Sequence, residues 1–282
     1  MYGVAWDENF QGAHYERISS VNELKALSGT KYVQARKGKI YSKVKKDLDA
    51  GEKVIFFGLP CEVGGLLSFL RSSYNNLITV QLVCHGVTSS KYIAEYCSRL
   101  EEKYKSKIVS FNLRDKKNGV DPKYIRVEFE NGKVFSELLL ASDFGATFVT
   151  CDRESCYDCH FKGENRMADI TIGDYWGLSA EHKAWHNMGT SLVVTHTLKA
   201  DDLVSSLGCD SDFMVCRGPE ESARNGNPKM YRSGVKAENR QKMMNNISKL
   251  GLHRGILASR NFKDCLKLVY YRYLPEWAKK SP

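Results

Sequence analysis

Nothing in the 282 residues approaches a run of about eighteen apolar side chains, so no membrane-spanning helix is expected. The opening MYGVAWDENF lacks the basic flank and apolar centre of an export signal, which makes the reducing cytoplasm the expected location. There is no internal repeat, no low-complexity stretch and no RNA- or DNA-binding motif, and no nucleic-acid partner is expected. Complete cysteine pairing is excluded by arithmetic, because nine is odd. Nine cysteines are also roughly 3% of the chain, far below a disulfide scaffold. In a reducing compartment such thiols bind metal or carry redox chemistry, or pack as small apolar groups. The packing role is expected for Cys97, Cys209, Cys216 and Cys265.

What remains is an ordinary globular composition, 42% hydrophobic and 27% charged, with a net charge of +9. The charge is uneven. Residues 217–282 hold 15 Lys and Arg against 5 Asp and Glu, whereas residues 1–216 hold 27 against 28. A basic tail of this kind is a solvated helical face or a docking surface for an acidic partner or an anionic surface. Its LKLVYYRYL segment mixes apolar, aromatic and basic residues, as a partner-binding or membrane-surface helix does.

The first part reads as α/β. Lys53–Phe57 is a short apolar strand ended by Gly58-Leu59-Pro60, and Val63, Leu66, Leu67 and Leu70 then fall at helical spacing to about Ser72. Leu77–Val83 is a second strand, closed by Cys84-His85-Gly86. Ser89 or Ser90 caps a helix with Ile93, Tyr96 and Leu100 on one face. This alternation predicts a mostly parallel sheet with flanking helices. Ile108–Leu113 is a strand, and Arg114–Gly119 a turn-rich loop. Tyr124–Phe129 and Lys133–Leu138 form an inserted hairpin about Asn131-Gly132. Met167–Ile172 and Ser191–Thr197 are strands, and the chain beyond Lys199 is mostly helical, with loops near Gly218–Pro228. The predicted organisation is a domain over residues 1–198 and a helical basic region over residues 199–282.

Cys61 and Cys84 each follow a predicted strand and open a helix. Parallel strands bring such ends together, and a helix N-terminus favours the thiolate a metal needs. Cys156 and Cys159 form a CxxC pair in a Cys-rich loop, giving four thiols, the number a 4Fe-4S cluster takes. Zinc accepts the same four. Cys156–His160 also fits the CxxCH pattern of haem attachment, a chemistry that belongs outside the cytoplasm, and Cys151 is a fifth thiol near enough in sequence to replace one ligand.

GLPCEVGGLLSFL, NLITVQLVCHGVTS, FNLRDKKNG and SCYDCHFKGENRMADITIGDYWGL, in this order, resemble the beta subunit of the coenzyme F-420 hydrogenases and dehydrogenases, together with bacterial relatives often encoded near polysaccharide genes. SGTKYVQARKGKIYSKVKKDLDAGEKVIFFG resembles the preceding family segment, so the likeness runs from Tyr2 to Thr197. It implies an iron-sulfur flavoprotein oxidoreductase, passing electrons between a 4Fe-4S cluster on Cys61, Cys84, Cys156 and Cys159, an FAD, and a redox partner protein or a deazaflavin-type small molecule. The alternative is a non-catalytic electron-transfer or scaffold subunit that holds a cluster, or zinc, without flavin.

The resemblance also implies cofactor contacts at Ser28, Gly29, Lys31, Gln34, Gly58, Pro60, Gly86, Arg114, Lys116, Asp169, Thr171, Gly173 and Asp174. Lys31, Arg114 and Lys116 would neutralise a flavin diphosphate, whereas Arg36 reads as a surface charge. His85 would donate a proton or support the cluster, and Trp176 would stack on a ring or fill the core. Leu59 stands where the family has Thr, Glu62 where it has Gln, and Val120 where an aromatic is common. The usual Gly-rich opening segment is missing, so a truncated chain is expected.

Overall fold

The computed structural model describes residues 1–117 and 119–260. Cys265 and the LKLVYYRYL segment lie outside the described residues. The order of elements is β1 (Tyr2–Trp6), β2 (Ala13–Arg17), α1 (Leu24–Leu27), α2 (Ile40–Asp49), β3 (Val54–Gly58), α3 (Pro60–Leu70), β4 (Leu77–Leu82), α4 (Ser90–Tyr104), β5 (Ile108–Asp115), β6 (Tyr124–Phe129), β7 (Val134–Leu138), α5 (Asp143–Thr150), β8 (Ile170–Asp174), β9 (Ser191–Thr195), α6 (Leu198–Leu207), α7 (Glu220–Gly226), α8 (Arg240–Leu250) and α9 (Leu252–Ser259).

Six strands form one sheet in the order β2-β1-β3-β4-β8-β9. The inner pairs β1/β3, β3/β4 and β4/β8 are parallel, and the edge pairs β1/β2 and β8/β9 are antiparallel. The expected α/β class with a mostly parallel sheet holds. A separate antiparallel sheet, β5-β6-β7, carries the expected hairpin, with Gly132 at φ +78 in the turn. Asn131-Gly132 suits this position because a positive φ costs glycine little.

Strand β3 alternates. Val54 and Phe56 enter the main core with Val44 and Leu48 of α2 and Val63 and Leu66 of α3, while Ile55 and Phe57 are only half-buried on the other face. That second face gathers Ile78, Val80, Ile170 and Ile172 beneath Ala200 and Val204 of α6. Period-two alternation, with one face covered thickly and one thinly, explains a strand that reads as wholly apolar. The expected face of α4, Ile93, Tyr96 and Leu100, is buried, and Cys97 lies with it as a packed apolar group. The Ser89 hydroxyl accepts the Lys91 N–H at 3.3 Å and caps this helix.

Some expectations shift. Arg114 and Asp115 belong to β5, whose pairing with β6 breaks register between Asn112 and Asp115, so the loop starts later. Strand β8 begins at Ile170 because Asp169 is engaged in side-chain bonds, and β9 ends at Thr195 because Thr197 precedes α6. The segment expected as loop near Gly218–Pro228 contains α7. Cys209 is exposed rather than packed. Met243, Ile247, Leu252 and Ile256 of α8 and α9 join the same core cluster as Phe56 and Leu66. Among the described residues, no helix is long and apolar enough to cross a membrane.

Candidate functional site

The parallel strands β3, β4 and β8 end side by side at Gly58, Leu82 and Asp174, and the candidate site is built on the turns that leave these strand ends, together with the CxxC loop. After β3, Pro60 sets the first turn of α3, where its fixed φ and missing N–H are suited, and Cys61 is the next residue. The buried carboxylate of Glu62 accepts the Leu59 N–H at 2.9 Å and the Tyr15 hydroxyl at 2.7 Å, and it pairs with Lys37 at 3.1 Å. This fixes the strand-to-helix turn with a side chain whose charge Lys37 balances.

After β4 comes Cys84-His85-Gly86. Gly86 has φ +129, and a Cβ there would meet Asp152 Oδ2 at 2.1 Å. Only glycine fits, on both grounds. The CxxC loop is bound to this turn: the Arg153 N–H donates to Val87 O at 3.0 Å and the Thr88 hydroxyl to Cys151 O at 3.0 Å. On its far side the Cys159 N–H donates to Ser233 Oγ at 2.9 Å, Arg240 donates to Asp152 O, and Lys162 Nζ donates to the carbonyls of Cys84 and Lys229. Gly64 completes the arrangement, since a Cβ there would meet the Phe161 ring at 2.4 Å; its absence lets α3 close on the loop.

Cys61, Cys84, Cys156 and Cys159 thereby come within electrostatic reach of one another: Cys61 senses Cys159 and Cys156, Cys84 senses Cys61 and Cys156, and Cys156 senses Cys159. Cys61 is an exposed residue, yet desolvation of its sulfur, the Glu62 carboxylate and the neighbouring sulfurs push the thiol up to about 11, against the pull of Lys37. Burial pushes Cys84 up to about 12 despite Lys162, and burial also raises Cys156. Gathered thiols resist ionising together, and a bound cationic centre reverses that preference. Among the described residues, no group of three or more His, Cys, Asp or Glu side chains is drawn together as tightly as a single metal ion requires. The donor set, four sulfurs from three chain segments, suits the chemistry of a cluster. Cys151 is buried elsewhere, its thiol beside Tyr92 and Arg240.

A second constellation borders the first. Arg114 pairs with Asp174 at 2.5 Å, and its guanidinium lies 5.8 Å from the Trp176 ring centre, with Lys123 4.5 Å from the same ring. Arg114 Nε and Nη2 are buried without a hydrogen-bond partner, an arrangement that costs free energy unless an acceptor meets them. Tyr32 senses both Arg114 and Asp174, and the Gln34 N–H donates to Thr88 O at 3.2 Å, so the segment containing Ser28, Gly29 and Gln34 runs beside the Cys84 turn. Gly29, at φ +79, has open space where a Cβ would be. Lys116 Nζ lies against Gly189. His85 is an exposed residue, and desolvation of its ring together with the ammonium groups of Lys162, Lys229 and Lys123 pushes it down, against Asp174; because the residue is open to solvent, the direction rests on the three cations.

Other expected contacts are engaged within the protein. Lys31 Nζ donates to the carbonyls of Leu27, Ser28 and Gly29 at 2.7–3.0 Å, which occupies all three of its N–H groups. Asp169 accepts the N–H and hydroxyl of Thr79 at 2.8 Å and the Thr197 hydroxyl at 2.9 Å, and it pairs with Lys199 at 3.0 Å. It ties β4 to β8 and to the start of α6 at the opposite end of the sheet. The buried Thr171 hydroxyl accepts from Gln81 Nε2 at 2.8 Å and meets His196 Nε2 at 2.8 Å. A Cβ on Gly58 would meet the Tyr15 hydroxyl at 2.6 Å and one on Gly173 would meet Val83 at 2.7 Å, so protein fills both spaces. Arg36 is held by Asp7 through two bonds of 2.8 Å, an exposed ion pair as expected. Asp152, Lys123, Lys162 and Lys229 carried no sequence signal of their own, although Lys162 lies just past the CxxC pair.

The family model for the C terminus of the coenzyme F420 hydrogenase/dehydrogenase beta subunit matches residues 51–214. The chain belongs to this family. The matched span holds all four clustered cysteines, Arg114 and Asp174, whereas Ser28–Gln34 precede it. Among solved structures, a chain of the xenon-derivatised F420-reducing NiFe hydrogenase complex from Methanosarcina barkeri is similar at a TM-score of 0.48 and 14% identity, over 88% of this chain and 79% of that one. No curated protein matches the chain.

Proposed function

We propose that this member of the beta subunit family is an oxidoreductase of the reducing cytoplasm, which holds a 4Fe-4S cluster on Cys61, Cys84, Cys156 and Cys159 and exchanges electrons with FAD and a deazaflavin-like or protein acceptor. The observation that carries the reading is the convergence of these four thiols at the C-terminal edge of the parallel strands. A bound cluster would relay single electrons, and a flavin would convert them to a hydride equivalent. The chain's own contribution is positional. Pro60 and Glu62 fix the Cys61 turn, Gly86 lets the Cys84 turn close on the CxxC loop, and Lys162 holds the Cys84 carbonyl. Arg114 offers its two unpartnered nitrogens, Nε and Nη2, to a phosphate, with Asp174 fixing the guanidinium and Trp176 beside it.

A second reading, a cluster-holding electron-transfer subunit without flavin, is favoured by one observation: Lys31, Asp169 and Thr171 are engaged within the protein. Anaerobic purification with iron, sulfide and flavin quantification separates the two. About four irons and four sulfides per chain with bound FAD supports the enzyme; the same cluster without flavin leaves the relay. Zinc without iron overturns both.

A further inference from the structure

This inference rests on the cluster reading above. Asp152 lies in the loop between α5 and Cys156, 8% exposed, with its carboxylate against Gly86. Its Oδ1 is buried without a hydrogen-bond partner. The nearest guanidinium does not neutralise it by contact, because Arg240 directs Nε and Nη2 at 3.2 and 2.8 Å to the Asp152 backbone carbonyl. The Arg153 N–H bond to Val87 O holds the same backbone from the other side. Burial without a partner raises this carboxyl to about 6, so above that pH it is a negative charge held in place at the Cys156 side of the site. Lys162 is its counterpart. Its ammonium is tied to the carbonyls of Cys84 and Lys229 and acts on Cys84 and Cys159. Lys229 and Arg240 also face Asp152.

We propose that Asp152 and Lys162 are opposed fixed charges that set the reduction potential of the cluster held by Cys61, Cys84, Cys156 and Cys159, Asp152 drawing it down and Lys162 drawing it up. Reduction adds one electron to a centre in a poorly screened interior. A nearby carboxylate disfavours that electron and a nearby ammonium favours it. Neither residue need touch the iron.

The test is an anaerobic redox titration followed by electron paramagnetic resonance at pH 8, on the full chain, with iron and sulfide measured in each sample. Asp152→Asn is expected to raise the midpoint potential and Lys162→Gln to lower it. Each shift should correspond to about a tenfold change in the reduction constant, about 59 mV for a one-electron couple. The double variant should return close to the wild type. Should Asp152→Asn not fold, Asp152→Ser removes the same charge. A merely structural loosening would move both single variants in one direction, and that result overturns the inference. So do unmoved potentials at full iron content, which leave the cluster reading intact. Wild-type protein without iron overturns both.

Discussion

Gly86→Ala is the substitution whose cost the structure specifies most fully. At φ +129 an L-residue pays about 1–3 kcal/mol for the backbone alone. The added methyl would also lie 2.1 Å from Asp152 Oδ2 and 2.6 Å from Asp152 Cγ, so the carboxylate must move. Its room to move is small, because the Asp152 backbone is bound by Arg240 and its neighbour by Val87. Displacing this tightly packed group adds about 1–3 kcal/mol, the usual cost of overpacking. The total is then about 2–6 kcal/mol, and the two parts separate in a double-mutant cycle. In an Asp152→Ala background the clash is absent, so Gly86→Ala should cost only the backbone part, a coupling of at least about 1 kcal/mol. Urea unfolding of metal-free protein under reducing, anaerobic conditions measures all four corners without stabilisation by a ligand. A Gly86→Ala cost below about 0.5 kcal/mol, or an equal cost in both backgrounds, would refute the reasoning.

The other predictions concern groups whose partners are explicit. Burial alone would raise the Asp169 carboxyl, but the N–H and hydroxyl of Thr79, with Lys199 and Thr197, hold it below the usual range. Its stabilisation is therefore present above about pH 4 and lost as pH falls through its folded-state value; Asp169→Asn should flatten that acid limb of a stability–pH curve, and an unchanged limb would count against the assignment. Glu62→Ala strands the Tyr15 hydroxyl and the Leu59 N–H, at about 1–3 kcal/mol each, while Glu62→Gln keeps an acceptor and should cost less in the same urea assay. Arg114→Met should weaken flavin retention by about tenfold or more, since a charge-assisted bond is worth about 1.5–3 kcal/mol, without changing iron content; equal retention by equilibrium dialysis would remove Arg114 from the phosphate role.

Much of the architecture was legible because it rests on local rules. The β3-α3-β4-α4 alternation, the Ser89 cap and the Asn131-Gly132 turn each need only neighbouring residues. Helix α5 left little trace: DFGATFVT has no polar face, because Phe144, Gly145, Ala146 and Thr147 are all buried, and a 3.6-residue period therefore has nothing to alternate with. Strand β2, AHYER, is an edge strand with half its side chains outward. The four thiols were legible because strand ends and a CxxC pair are visible in one dimension. The residues expected to contact a flavin do not all lie together. Asp169 and Asp174 share one motif, yet five residues of extended chain separate them by about 16 Å, placing them at opposite ends of the sheet. Lys31 reads as a free cation until its backbone carbonyls are seen to fold around it. Asp152 and Lys162 become notable only once Gly86 and the Cys84 carbonyl are in contact with them.

The most direct test of the central claim is a cysteine-by-cysteine count of bound iron and sulfide after anaerobic purification. Single Cys→Ser variants at Cys61, Cys84, Cys156 and Cys159 should each lose or degrade the cluster. Cys97, Cys151, Cys209 and Cys216 variants that fold should keep about four irons per chain. Loss of iron on Cys151→Ser with retention on Cys156→Ser, or full iron in any of the first four, would contradict the account.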